Sequence, residues 1–188
     1  MRKNIFKLFF IAVFSVILIQ CGNDSKFIIA KGKVGNLTTT TTIFELDKIF
    51  KNDSIVKNLS EGTLGDNYFQ DDDEYLIYEK GGKQLLTIIP EEQLDSSSTI
   101  KSIQIYDPRF KTDTGLSLTS TFEEINLTNK ITKIETSLNS ATLFIDALNA
   151  TITLDKEELG IRDFSTQKIN LEQIPDLAKI KTYIIWFN

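Results

Sequence analysis

The chain has 188 residues, no histidine and a single cysteine, Cys21. Without an imidazole, Ser-His-Asp and Cys-His nucleophilic catalysis are excluded, as are zinc sites built from thiolate and imidazole. One cysteine cannot close a disulfide within the chain, so packing and backbone hydrogen bonds must hold any fold. Long apolar runs are missing too. The longest, Leu8 to Ile19 with only Ser15 breaking it, spans 12 residues, short of the roughly 20 that a membrane-spanning helix requires. Positive charge is in deficit, with 21 Lys and Arg against 26 Asp and Glu.

What is present starts with Arg2, Lys3 and Lys7 ahead of that apolar run, and Leu18-Ile19-Gln20-Cys21 at its end. A cationic start, a short apolar stretch and a cleavage zone make an export signal rather than a folded element. The cysteine at its close resembles the lipobox of a bacterial lipoprotein with a type II signal peptide. The resemblance implies removal of residues 1–20 and lipidation of Cys21 as the new first residue. The remaining 168 residues are enough for one self-sufficient core. They carry 18 basic and 26 acidic groups, a net charge of −8. An acidic body disfavours nucleic acid, whose phosphates are neutralised by Lys and Arg. It also disfavours adsorption to anionic headgroups, so the lipid is expected to be the only link to the membrane.

Residues 21–26 are small and polar around Gly22-Asn23-Asp24-Ser25 and read as a tether, leaving 27–188 as a single domain. Phe27 to Ala30 reads as a first strand. The run Thr38 to Thr42 favours extended chain, because its residues are β-branched. Thr42-Ile43-Phe44-Glu45 is a capping box, and Ile43, Leu46 and Phe50 then share one helical face. Strands are expected over Ile55–Leu59, Tyr75–Glu79, Leu85–Ile89 and Ile100–Tyr106, with Gly81-Gly82 turning a hairpin.

A second capping box, Thr121-Phe122-Glu123-Glu124, stands 79 residues after the first. Strands over Ile131–Leu138, Thr142–Asp146, Thr151–Leu154 and Ile180–Trp186 follow it in matching order. The pattern predicts an α+β fold of two tandem repeats, about 27–106 and 107–188. Each would hold a short capped helix and mainly antiparallel strands, with the helices packed on one face of the sheet. Ile180 to Phe187 is apolar on both alternating faces, which predicts a central strand. Ser60–Glu74 and the stretch from about Glu157 to Gln173 fit neither copy, and such loops are where function is carried.

Tyr68, Phe69, Asp71, Asp72, Asp73 and Glu74 form the candidate interaction loop. Four consecutive acids raise calcium binding as a reading, but they lack the alternating ligand spacing and the distal glutamate of a calcium loop. A solvated acidic surface is the plainer reading, with no metal and no cofactor expected. Asp107-Pro108-Arg109-Phe110-Lys111-Thr112-Asp113-Thr114-Gly115, Leu148-Asn149-Ala150-Thr151-Ile152-Thr153-Leu154-Asp155 and Ile174-Pro175-Asp176-Leu177-Ala178-Lys179-Ile180-Lys181 resemble stretches of uncharacterised Bacteroidota envelope lipoproteins. That resemblance implies an envelope-anchored domain and carries no catalytic residue with it. Gly22 after the cysteine, rather than Asp, implies the outer membrane; the lack of a plain acidic run after Cys21 points to its periplasmic face, with surface exposure as the alternative. The expected function is a non-enzymatic binding or structural module for an unknown protein or envelope component. The alternatives are a carboxylate-dependent hydrolase of cell-wall or surface glycan, and an inhibitor or small-ligand carrier using a groove between the repeats.

Overall fold

Alternating Ile, Leu and Thr residues have a period of two, and the chain answers that period with strands almost throughout. A computed structural model describes residues 24–60, 72–160 and 168–187. Three two-residue strands come first: β1 (Ile29–Ala30), β2 (Lys33–Val34) and β3 (Leu37–Thr38), paired antiparallel in that order. Eight more build the main sheet: β4 (Ser54–Asn58), β5 (Glu74–Tyr78), β6 (Gln84–Pro90), β7 (Ile100–Ile105), β8 (Lys133–Thr136), β9 (Ser140–Ile145), β10 (Ala150–Asp155) and β11 (Ile180–Trp186). Their spatial order is β4-β5-β6-β7-β11-β10-β9-β8, antiparallel at every step.

The strong alternation fixes which side of the sheet faces inward. Tyr75 and Ile77 of β5, Ala141, Leu143 and Ile145 of β9, and Ala150, Ile152 and Leu154 of β10 are buried, while their neighbours are half-buried. A one-residue slip in any of these strands would turn its inward set outward, so the burial itself pins the register. β11 lies between β7 and β10, with Ile185 opposite Ile103 and Tyr183 opposite Ile152.

The helices are far smaller than an α+β architecture requires, and that expectation is corrected. The fold is mostly β, and its helical pieces do not form a layer over the sheet. The first capping box starts a 3-10 turn, Ile43–Glu45, followed by a single turn of helix, α1 (Leu46–Ile49). The second opens α2 (Phe122–Thr128), seven residues long. A cap satisfies the first orphan amides, but propagation needs good helix formers beyond them. In α2 the chain instead supplies Thr128 and Asn129, whose side chains donate to the carbonyls of Glu124 and Ile125 and end the helix there. The threonine run is corrected as well. Thr38 N–H donates to Thr41 Oγ1 at 3.0 Å, which folds the run into a turn after β3 rather than a strand.

Both capped turns are tied to the sheet by matching contacts. Ile43 and Phe44 N–H donate to Ser98 and Ser96 carbonyls, just before β7. Phe122 and Glu123 N–H donate to Ala178 and Asp176 carbonyls, just before β11. Ile43, Leu46, Phe50, Phe122 and Ile125 thereby enter the same hydrophobic cluster as the inward residues of the sheet.

Tyr183 is fully buried in that cluster, and its hydroxyl has no hydrogen-bond partner among the described residues. Burial alone pushes its phenol well above the ordinary tyrosine value. An unsatisfied buried hydroxyl costs about 1–3 kcal/mol. Tyr183→Phe is therefore expected to stabilise the fold by about 1 kcal/mol, read as a higher urea midpoint with an unchanged m-value. A loss of stability of that size would show that the hydroxyl is satisfied in solution.

Candidate functional site

Beyond β7 the sequence Asp107-Pro108-Arg109-Phe110 makes a tight turn, with Phe110 N–H donating to the Asp107 carbonyl. Proline suits the second position of such a turn, and aspartate suits the first because its carboxylate can accept from the backbone two residues on. Arg109 N–H makes that bond to Asp107 Oδ1 at 2.9 Å. The Arg109 side chain then returns to the same carboxylate, Nε at 3.0 Å and Nη2 at 2.6 Å from Oδ2. Lys83, at the start of β6, adds an ion pair at 3.0 Å. Arg109 also grips Glu79, at the end of β5, through Nη1 and Nη2 at 3.0 and 2.9 Å.

The Asp107 side chain has no exposed surface. Burial opposes its ionisation, but the hydrogen bonds from Arg109 and Lys83 outweigh that and hold its carboxyl at about 2. The Arg109 guanidinium is pushed upward by the same contacts, to Asp107 first and then Glu79. With every strong donor already committed, the cluster has the design of a lock rather than an acid–base pair.

The lock holds the entry of the chain. Asp24–Phe27 is a 3-10 turn, and Phe27 stacks edge-on against Phe110 with centroids 5.0 Å apart. The Arg109 guanidinium lies 4.5 Å from the Phe27 ring centroid on its other contact. Ile29 N–H donates to the Lys111 carbonyl, and Lys111 N–H to the Phe27 carbonyl. Lys26 pairs with Asp53 at 3.0 Å. Residues Asp24 to Lys26, read above as tether, are thus the first turn of the folded body.

The acidic run divides. Cys21, Tyr68, Phe69 and Asp71 lie outside the described residues. Asp72 is exposed, with Gln93 Nε2 at 3.4 Å from its Oδ1. Glu74 opens β5. Asp73 is completely buried: it accepts from Ser60 N and Oγ at 2.8 and 2.9 Å and from Leu94 N at 2.7 Å. Burial works against its charge, and the two backbone donors with the Ser60 hydroxyl overcome it, holding its carboxyl below the usual range. This one acid of the run is a buried tie between residues 60 and 94, not a solvated group. The sequence signal for it was faint: a Ser-flanked loop closed by an acid next to a strand start. Among the described residues no three acids gather as metal ligands.

Two open features among the described residues bear on function. The outer edge of β8 faces residues 168–172 across a groove of about 880 Å3 lined by Lys133, Glu135, Thr136, Ile169 and Leu171 among others. A second cavity of about 330 Å3 opens beside the chain entry, between Phe27, Ile28, Arg109 and Lys111. The seam between β7 and β11 is closed, because Ile103 and Ile185 face one another there with no exposed surface. A ligand groove between the two halves, as the carrier alternative needs, has no room at that seam.

No family model matches the chain, and no curated protein matches it significantly. In structure it is similar to the uncharacterized protein yfeY from Escherichia coli, with a TM-score of 0.51 at 12% identity, over 84% of this chain and 98% of that one. Identity so low shows a shared fold and nothing about activity.

Proposed function

We propose that the protein is a lipid-anchored cell-envelope module of the outer membrane, facing the periplasm, which binds a protein or envelope component without catalysing a reaction. The observation that carries this reading is the continuity between the Cys21 signal and the locked entry of the fold. Only Gly22 and Asn23 separate Cys21 from the turn at Asp24. At roughly 3.5 Å per residue, the folded body then begins within about 10 Å of the lipidated residue. Phe27, Arg109 and Asp107 then tie that entry to the body, an arrangement that suits presentation of the fold close to its anchor. The groove along β8 is the surface best suited to an extended partner segment. Among the described residues its strand pairs with β9 alone, and such an edge can accept another strand by backbone hydrogen bonds.

The direct experiment is Cys21→Ser in cells fed labelled palmitate. The native protein is expected to carry label and to sediment with membranes. The variant is expected to lose both, since three acyl chains at about 0.8 kcal/mol per buried methylene hold far more strongly than one chain does. Undiminished labelling of the variant would defeat the reading.

A further inference from the structure

The net charge of −8 argues against any membrane contact beyond the lipid, but the fold does not spread its charge evenly. In β1 and β2, Ala30 is paired with Lys33, and Ile28 bridges to Lys111. Bridged residues point to the same side of a sheet, and so do residues two apart along a strand. Ile28, Ala30, Lys33 and Lys111 therefore share one side, and all four are exposed. Lys31, in the turn between β1 and β2, is exposed beside them. The acids nearest this side are largely answered from within. Asp53 is paired by Lys26, and Asp107 and Glu79 are paired by Arg109 and Lys83. Asp113 lines the 330 Å3 cavity together with Lys111.

Chain length decides where this face sits. Ile28 is seven residues from Cys21, so it cannot lie farther than roughly 25 Å from the acylated residue even with the chain fully extended. The intervening 3-10 turn brings it closer.

We propose that the face formed by Ile28, Ala30, Lys33 and Lys111 seats on the membrane surface, its lysines against the phosphates of anionic phospholipid headgroups. The inference rests on lipidation at Cys21. Ile28 supplies an apolar contact at the headgroup boundary, and Lys111, on the wall of the cavity beside it, is offered to a phosphate. The acidic remainder of the body is repelled by the same anionic surface, so both forces turn the module the same way. Each lysine near such a surface shifts the partition by roughly fivefold. Neutralising two of them lowers the docking equilibrium about 30-fold.

The test uses the full lipidated chain with Ala30→Cys, which becomes the only free thiol once Cys21 is acylated. A polarity-sensitive fluorophore is attached there, and a parallel sample carries it at Leu138→Cys, in the turn between β8 and β9. Each is reconstituted into vesicles of phosphatidylcholine alone or with phosphatidylglycerol added. The Ala30 probe is expected to move to shorter wavelength only with phosphatidylglycerol, and to return on adding salt or on introducing Lys33→Gln and Lys111→Gln. The Leu138 probe is expected to stay unchanged. Flotation with vesicles but no shift at Ala30 overturns the contact and leaves the anchor standing. An equal shift in both vesicle types also overturns it, as does a shift that tracks protein density and so reports a second copy. Failure to float, with no acyl mass on Cys21, defeats anchor and contact together.

Discussion

Replacing Asp107 with alanine is expected to lower the unfolding free energy by about 3 kcal/mol. The carboxylate is wholly buried and takes bonds from the Arg109 backbone, the Arg109 guanidinium and the Lys83 ammonium. Removing one partner of a buried ion pair typically costs about 3–5 kcal/mol. Arg109 and Lys83 are about half-exposed and can recover water, which puts the expectation at the lower end. In a domain of this size that is a fall in Tm of roughly 6–12 °C. Loss should begin at the chain entry, with faster amide exchange at Ile29 and Lys111. A variant as stable as the parent would mean that the cluster adds geometry without net energy.

The same residue predicts an acid dependence. Its folded value of about 2 lies below the 3.8 of a free aspartate. The contribution is therefore complete above about pH 4 and disappears as pH falls through about 2. A depression of this size corresponds to about 2 kcal/mol. Asp107→Asn should flatten the stability curve between those two pH values. Asp73, shifted in the same direction, keeps part of the slope.

Gly35→Ala is expected to be as damaging, for a reason unrelated to charge. Gly35 has φ of +58°, and a Cβ built there would stand 2.3 Å from the Lys26 carbonyl oxygen. A positive φ alone costs alanine about 1 kcal/mol. The clash falls on backbone, which cannot rotate away, so the entry turn must lift off. The sum is expected to reach about 3 kcal/mol or more. Gly115→Ala supplies the comparison, since its φ is +88° but nothing lies within 4 Å of the added carbon. Its cost should stop near the backbone component, about 1 kcal/mol. Equal losses in the two variants would remove the close approach of Lys26 from the explanation.

Both residues show where sequence reasoning ran short. Gly35 is one of nine glycines, and nothing in its neighbours announces that the backbone of residue 26 passes over it. Asp107 stands in a turn motif that is legible as a turn, but its partner Lys83, and Glu79 that pairs with Arg109, come from the β5–β6 hairpin, brought near only when β6 and β7 pair. Asp73 read as one acid among four because consecutive acids look alike in sequence, and only its donors at residues 60 and 94 distinguish it. The helices were given too much weight in the fold class for a similar reason. Capping boxes at Thr42 and Thr121 are local and were legible, and both form. How far a helix then runs depends on competition with a sheet that claims the following chain.

By itself, the sequence determined what is local: the caps, the Gly81-Gly82 hairpin, and the alternating strands, with β11 in a central place. It also determined, through the absence of histidine and of a second cysteine, which chemistries are closed to the protein. Only the tertiary structure decided that the sheet dominates, that the chain entry is locked by Asp107 and Arg109, and that Lys33 and Lys111 of an acidic chain share one exposed side with Ile28 and Ala30. Those outcomes depend on strand pairing between distant segments. A periodic pattern records which face of a strand is buried, but not which partner lies against it.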